Sequence, residues 1–165
     1  MSELTFPYRL PPGLRETAAR DSSRLYPLLL IRLYKPGERP RSFEGLIDSG
    51  ADTLFIPKRI ADIIGLELRD RIVSSGVFER GICRTTKVGF IAGRMGAGRL
   101  DFGQVEATVP ESEGDIPILI GRNPLFRHFE VIFKEYRENP AYSLIQKRPL
   151  PGTDEQASTV AASGN

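Results

Sequence analysis

The sequence predicts an all-β domain, a small β-barrel or sandwich, with two short helices. Apolar runs of about five residues, the usual strand length, recur along the middle of the chain and are separated by turns rich in Gly and Pro. Many short strands at such spacing are typical of barrels and sandwiches. In only two places do cap residues and helical spacing predict a helix instead, and no internal repeat is present.

Strands are predicted wherever an apolar run lies between turn residues. The clearest pair is a hairpin, in which Leu25–Tyr34 and Ser42–Ile47 are joined by the turn-forming stretch Lys35–Pro40. The other strand predictions are Leu54–Ile56, Ile72–Ser75, Thr85–Ile91, Leu100–Phe102, Val105–Val109, Ile116–Ile120, Val131–Phe133 and Tyr142–Gln146.

The two helix predictions depend on proline, glycine and apolar spacing. Lys58–Leu66 carries isoleucines at helical spacing, and Pro57 suits the start of a helix because its missing N–H needs no partner there. Gly65 suits the left-handed residue that ends a helix. Asn123-Pro124 has the composition of a cap followed by the first residue of a second helix.

These elements lie in one predicted domain, residues 23–148. Residues 1–22 are polar and rich in proline, so we expect an irregular N-terminal arm. Residues 149–165 carry few large apolar side chains and cannot bury enough surface to offset the entropy lost on ordering. We therefore expect a disordered C-terminal tail.

Composition argues against several classes of function. The 23 Lys and Arg residues nearly balance the 21 Asp and Glu residues and are scattered, so we expect no nucleic-acid partner. One His and one Cys cannot build a zinc cluster, and we expect neither metal nor cofactor. No apolar run approaches the roughly 20 residues that span a bilayer, and Met1–Pro12 lacks the apolar stretch of a secretory signal. We therefore expect a cytoplasmic protein with no membrane contact.

A glycine-rich stretch, Gly93–Gly98, superficially suggests a phosphate-binding loop. It lacks the Gly-Lys-Ser/Thr ending of a P-loop and the strand-to-helix setting of a dinucleotide site. We interpret it as a turn between strands. A nucleotide-binding function would require thermal stabilisation by phosphate compounds, which we do not expect.

The first segment with catalytic features is Gly45–Asp52. It places Asp48 directly after the aliphatic pair Leu46-Ile47, which is an unusual way to end a strand. Gly50 permits a sharp turn that brings backbone amides to the carboxylate, and Ser49 offers a hydroxyl to brace that turn. An aspartate that merely caps a turn is the alternative, and the Asp-Ser-Gly tripeptide alone favours it.

The second segment is Ile116–Phe126. Its apolar strand runs directly into Gly121, then into Arg122-Asn123 and the second predicted helix. Taken alone, the segment fits a buried strand with an ordinary helix cap.

Together the two segments resemble the retropepsins, the retroviral-type aspartic peptidases, over roughly Leu25 to Gln146. The stretch Leu46-Ile47-Asp48-Ser49-Gly50-Ala51-Asp52 matches the first motif of the family, and Leu119-Ile120-Gly121-Arg122-Asn123 matches the second, in the same order. The resemblance implies a small closed β-barrel of the acid-protease type and an aspartic endopeptidase that acts on peptide or protein substrates. It assigns catalysis to Asp48 and the active-site turn to Ser49, Gly50 and Ala51.

The resemblance also implies a homodimer. In the family each of two subunits supplies one aspartate to a shared site, and this chain has a single Asp-Ser-Gly. A second carboxylate must then come from another copy of the chain. The resemblance further implies that Asp52 contacts substrate and forms a salt bridge with Arg122, beside a dimer interface that includes Gly121 and Asn123.

Between the motifs, Val73–Ile82 is the candidate for a flap, a hairpin that closes over substrate. We expect Gly76, Val77 and Phe78 to contact substrate, and an ordinary hairpin loop is the alternative. The helix at Lys58–Leu66 makes the chain more similar to cellular and bacterial members than to viral ones. Chain ends interleave between subunits in viral members, a role for which Tyr142–Gln146 is the candidate here.

A second functional hypothesis belongs to another class. Because a fold does not by itself establish a function, the chain could be a catalytically inactive dimerisation or peptide-binding module that has kept the retropepsin-like fold. The presence at the first motif of every residue that the chemistry requires argues against this alternative.

Overall fold

The computed structural model describes residues 3–10, 25–76, 79–93, 98–136 and 138–151. These residues form ten strands and two short helical segments, which confirms the all-β prediction. The strands β1–β10 are Glu3–Pro7, Leu28–Tyr34, Arg41–Ile47, Leu54–Phe55, Arg71–Gly76, Glu79–Ala92, Leu100–Pro110, Ile118–Ile120, Phe129–Lys134 and Ala141–Gln146; the helical segments are α1, Lys58–Ile64, and α2, Arg122–Phe126.

Six of the strands close into a barrel. Their order is β2-β3-β8-β4-β7-β6, and β6 returns to pair with β2. Strand β5 lies outside this ring and, among the described strands, pairs only with β6, as one arm of a hairpin. The closed barrel with two short helices is the architecture that the sequence predicted.

The barrel interior is filled by alternate residues of its strands. In β2 the side chains of Leu29, Ile31 and Leu33 are almost fully buried, as the two-residue period of a strand requires. Phe90 of β6 packs against Phe102 of β7 with their ring centroids 5.0 Å apart. Full burial of each such side chain contributes about 1.5–3 kcal/mol, so the core provides the rigid support on which the site is built.

The strands β6 and β7 are longer than predicted. The sequence suggested two strands on either side of Gly103, but β7 continues through this residue without interruption. Gly103 adopts a positive φ of 65°, and its N–H donates to Asp101 Oδ1 at 3.0 Å. The register of the pairing with β6 shifts at this point, and the segments on both sides of Gly103 still pair with β6.

The helix predictions are confirmed with small shifts. Pro57 is the cap residue before α1 rather than its first helical residue, and Gly65 ends the helix with φ 73°. In α2, a short π-type segment, Asn123 has extended torsions (φ −108°, ψ 123°), so helical torsions follow this residue. Neither helical segment in the described ranges is long and apolar enough to cross a membrane.

A separate three-stranded sheet joins the two ends of the chain. Its order is β1-β10-β9, and Thr5 of β1 lies opposite Ser143 of β10, with their hydroxyl oxygens 3.0 Å apart. The expectation of an irregular arm over residues 1–22 is therefore wrong for Glu3–Pro7, while residues 11–22 lie outside the described ranges. The suggestion that Tyr142–Gln146 pairs with a second subunit is also wrong, because both edges of β10 are already occupied within the chain.

The packed domain extends beyond its predicted end. Leu150 is buried, and the carbonyl oxygen of Pro149 lies 2.8 Å from His128 Nδ1. The predicted disordered tail, residues 149–165, is thus wrong at its first two residues, because a single leucine suffices to anchor them. Residues 152–165 lie outside the described ranges.

Candidate active site

The two motif segments meet because their strands are parallel neighbours. Strand β3 pairs with β8 in a parallel register that places Ile47 opposite Ile120. The N–H of Asp48 donates to the carbonyl oxygen of Ile120 at 3.1 Å, which extends the pairing by one residue. Asp48 and Gly121 therefore leave the barrel side by side, which brings the two motifs together.

A tight turn holds the Asp48 carboxylate. The N–H of Gly50 donates to Asp48 Oδ1 at 2.9 Å, and the N–H of Ala51 donates to the Asp48 carbonyl oxygen at 3.3 Å. A Cβ atom on Gly50 would lie only 3.1 Å from Oδ1, so the absence of a side chain lets the amide approach. The prediction that Gly50 brings an amide to the carboxylate is confirmed. Ser49 is exposed, and its bracing role stays a prediction.

Gly121 lies directly beneath this turn. A Cβ atom at residue 121 would lie 2.4 Å from the Ala51 carbonyl oxygen and 2.5 Å from that of Thr53. The φ of Gly121, −89°, is accessible to any residue, so lack of space and not backbone torsion requires glycine here. Gly121 of the second motif thus packs directly against the backbone of the turn that contains the first motif.

Backbone hydrogen bonds tie the turn to α2. The N–H of Arg122 donates to the Ala51 carbonyl oxygen at 2.8 Å, and the N–H of Asn123 donates to that of Asp52 at 3.0 Å. The side chains of Asp52 and Arg122 form the predicted ion pair. They are 76% and 64% exposed, so their attraction is largely screened by water and adds little to stability in a single chain.

Sequence reasoning missed a further contact on the far side of the turn. The hydroxyl oxygens of Thr53 and Thr108 lie 2.5 Å apart and share a hydrogen bond. Thr108 belongs to β7, which pairs with β4 immediately after the turn. Thr53, which directly follows the first motif, was the only available signal, because its partner is distant in sequence.

Asp48 lines a shallow apolar cleft of about 330 Å³. Its walls come from both motif strands and from the loop that enters β8, and they include a second carboxylate, Asp115, which sequence reasoning did not select. A larger cavity of about 420 Å³ elsewhere contains none of the predicted site residues. The cleft around Asp48 is lined by Leu46, Ile47, Asp115, Ile116, Pro117 and Leu119.

The predicted flap is a hairpin formed by β5 and β6. Gly76 lies opposite Glu79, and Val77 and Phe78, which we expect to contact substrate, lie outside the described residues. Below the tip, Val73 lies opposite Ile82. These two side chains are 73% and 40% exposed. The hairpin thus presents an apolar cross-strand pair to its surroundings, while its contact with substrate stays a prediction.

The base of this hairpin is fixed to β7 by ion pairs. Arg71 of β5 and Arg84 of β6 both donate to the Glu111 carboxylate, at 3.1 and 3.0 Å. Glu111 follows the last residue of β7, so these ion pairs hold the base of the hairpin against β7.

One solved structure similar to this chain over most of its length is a retropepsin-like aspartic protease from Rickettsia conorii. The TM-score is 0.50 with 14% identity, over 87% of this chain and 90% of that chain. The fold of this protein is retropepsin-like. The retroviral protease-like domain of Ddi1 from Leishmania major also matches, with a TM-score of 0.36, 20% identity and coverage of 63% of this chain and 80% of that one. No protein-family model and no curated protein sequence matches the chain.

Within the retropepsin-like fold, the described residues contain one Asp-Ser-Gly turn and no group of three His, Cys, Asp or Glu side chains arranged to hold a metal ion. What the site offers is a half-buried carboxylate that accepts an amide hydrogen bond at the rim of an apolar cleft. Such a group can accept a proton from water, but it needs a second acid to protonate a leaving group.

Proposed function

We propose that this protein is an aspartic endopeptidase whose active site forms between two copies of the chain. In each copy Asp48 would be the catalytic residue. The observation that carries the proposal is the position of Asp48: an amide-bound carboxylate at the end of β3, seated above Gly121 and open to an apolar cleft.

The need for a second copy follows from the chemistry. Peptide hydrolysis by water requires one group to remove a proton from the water and another to donate a proton to the scissile amide. The chain carries only one Asp-Ser-Gly turn. A symmetric dimer supplies the second Asp48 in an equivalent position, because an isologous interface places the same residue on both sides of its axis.

The two carboxylates would share one proton. Like charges at close range cannot both ionise without a large electrostatic cost, so a singly protonated pair is the stable form. The ionised member then accepts a proton from water as the water oxygen bonds to the scissile carbonyl carbon, and the protonated member donates its proton to the carbonyl oxygen. The proton taken from water next passes to the amide nitrogen as the C–N bond breaks, while the other carboxylate takes back a hydroxyl proton, so the pair ends singly protonated. The amide of Gly50, which donates to Asp48 Oδ1, would orient each carboxylate for this exchange.

Substrate would bind as an extended peptide across both copies. Extended peptides gain affinity through main-chain hydrogen bonds and specificity through pockets for alternate side chains. The β5–β6 hairpin supports this mode, because its exposed Val73–Ile82 pair provides an apolar surface that substrate could cover. Gly76, Val77 and Phe78 would contact substrate, and Asp52 would contact the peptide backbone.

The deciding experiment compares wild type with Asp48→Asn on a mixture of unstructured peptides at mildly acidic pH. Loss of the acid–base pair should reduce turnover by about 10²–10⁴-fold, the usual contribution of a general acid or base. The matched control is Asp62→Asn, an exposed aspartate on α1 whose ion pair with Lys58 is peripheral to the site. Sedimentation equilibrium measures whether active samples are dimeric.

Three results would count against the proposal. Full activity of Asp48→Asn would remove Asp48 from catalysis. A strictly monomeric active species would remove the shared site. A dimer that cleaves no peptide and binds no statine-type transition-state mimic would favour the inactive binding module instead.

A further inference from the structure

We propose that Asp115 makes this cleft selective for peptides that carry a lysine or arginine close to the scissile bond. This inference rests on the proposed peptidase function and concerns the substrates that the same site accepts. The observation that carries it is the composition of the cleft: among the described residues that line it, the ionisable groups are Asp48 and Asp115, and none is a cation.

The position of Asp115 is set by the strand that follows it. Ile116 and Pro117 continue from Asp115 into the cleft wall, and β8 then begins at Ile118, which lies opposite Gly45 in the parallel register. Asp115 therefore lies in the loop that enters β8, and it lines the same cleft as Asp48. The carboxylate of Asp115 is therefore part of the cleft rather than of the outer surface alone.

The Asp115 carboxylate is available to a ligand. Its residue is exposed, and in the described part of the chain no Lys, Arg or His forms an ion pair with it. Other acids contrast with it: Asp62 is bound by Lys58, and Asp101 is bound by Arg99. An unpaired carboxylate beside an apolar wall has the chemistry that attracts a long cationic side chain.

Both the aliphatic stem and the charged group of a lysine or arginine side chain have partners along this wall of the cleft. Their aliphatic stems can lie along apolar surface while the charged group stays in water. Here Ile116 and Leu119 offer the apolar surface, and Asp115 offers the counter-charge at its edge. A glutamate or aspartate in the substrate would instead meet two carboxylates in one cleft and be disfavoured.

Dimerisation would double the effect. Each copy contributes one Asp115, so a shared site carries two of them on opposite sides of the scissile bond. The preferred peptides should therefore accept a basic residue at two positions that are equally distant from the bond cleaved.

The expected effect is modest because Asp115 is exposed. An ion pair in water is screened, so one basic residue should raise kcat/KM by about two- to five-fold over its neutral counterpart. The gain should lie in KM, since the contact is equally present in the bound substrate and in the transition state. It should also shrink as salt is raised from low to physiological strength and beyond.

The test uses one apolar peptide in which a single position is varied as Arg, Gln or Glu, scanned on both sides of the scissile bond. Wild type, Asp115→Asn and Asp115→Arg are compared, with Asp62→Asn as the matched control. We expect wild type to prefer Arg over Gln over Glu at two symmetric positions, and Asp115→Asn to lose this preference, measured as the ratio of the kcat/KM values for the Arg and Gln peptides. Asp115→Arg should reverse the order.

The outcomes separate this inference from the peptidase proposal. Equal kcat/KM of wild type for all three peptides, or a preference that persists in Asp115→Asn, would overturn the inference and leave the peptidase intact. If wild type cleaves no peptide of any charge, the peptidase proposal fails and this inference with it.

Discussion

The most direct test of the site geometry is Gly121→Ala. The added Cβ atom would meet the carbonyl oxygens of Ala51 and Thr53 at 2.4 and 2.5 Å. Carbon and oxygen atoms that are not bonded do not approach below about 3.0 Å, so the active-site turn must retreat by about 0.5 Å or more, a small shift that a close-packed interior resists. The obstacle is backbone on both sides, so no side chain can rotate away to relieve it.

The size of the effect follows from two terms. Inserting a methyl group into a packed site costs about 1–3 kcal/mol. Displacing Ala51 also weakens the hydrogen bond that its carbonyl oxygen accepts from Arg122, a further 0.5–1.5 kcal/mol or so. The free energy of unfolding should therefore fall by about 2–4 kcal/mol, which for a domain of this size lowers the melting temperature by roughly 5–15 °C.

Differential scanning calorimetry and peptidase activity measure the two consequences of Gly121→Ala. Gly81→Ala is the matched control, since a Cβ atom there meets nothing within 4 Å and the residue has no positive φ; its melting temperature should be unchanged or slightly higher. We expect Gly121→Ala to lose activity beyond what its stability loss explains, because the Asp48 turn has moved. A melting temperature within about 2 °C of wild type, together with full activity, would refute the packing argument.

Two further predictions concern charge. A double-mutant cycle of Asp52→Asn and Arg122→Gln in dilute protein should give a coupling energy below about 1 kcal/mol, because both side chains are exposed; a coupling above about 2 kcal/mol would contradict a solvent-screened pair. The second prediction concerns alkaline pH and Tyr8. Burial, and next the hydrogen bond to Glu135, raise the pKa of Tyr8 from its ordinary value of 10.0 to about 12. The folded state therefore holds this proton more tightly, so its contribution to stability is complete below pH 10 and is lost as pH rises through 12. Thermal unfolding measured across this range should show a smaller decline for Tyr8→Phe than for wild type, and identical declines would contradict the assignment.

The two motifs were predictable from sequence because their signals are local. Asp48 follows two aliphatic residues, and Gly121 follows an apolar strand. Each pattern predicts a point at which the chain leaves the core abruptly. Their meeting needs only a parallel pairing of the strands that precede them, which the structure provides. The amide contact at Gly50 follows from the turn itself.

Features that depend on distant partners were not predictable in this way. Strand β1 contains Pro7 and polar residues, and it is a strand only because β10 pairs with it from the far end of the chain. Leu150 was assigned to the tail because composition averages over a window, whereas one buried side chain decides whether a segment packs. No sequence pattern around Asp115 predicts that it lines the cleft, because its place there comes from the register of β8 against β3.

The sheet β1-β10-β9 has a consequence for how the protein assembles. All of its hydrogen bonds join strands of a single chain, so they form at any protein concentration. If two molecules associate as proposed, that association does not depend on the pairing of the chain ends. Dilution would then separate the two molecules while the ends of each chain stay paired.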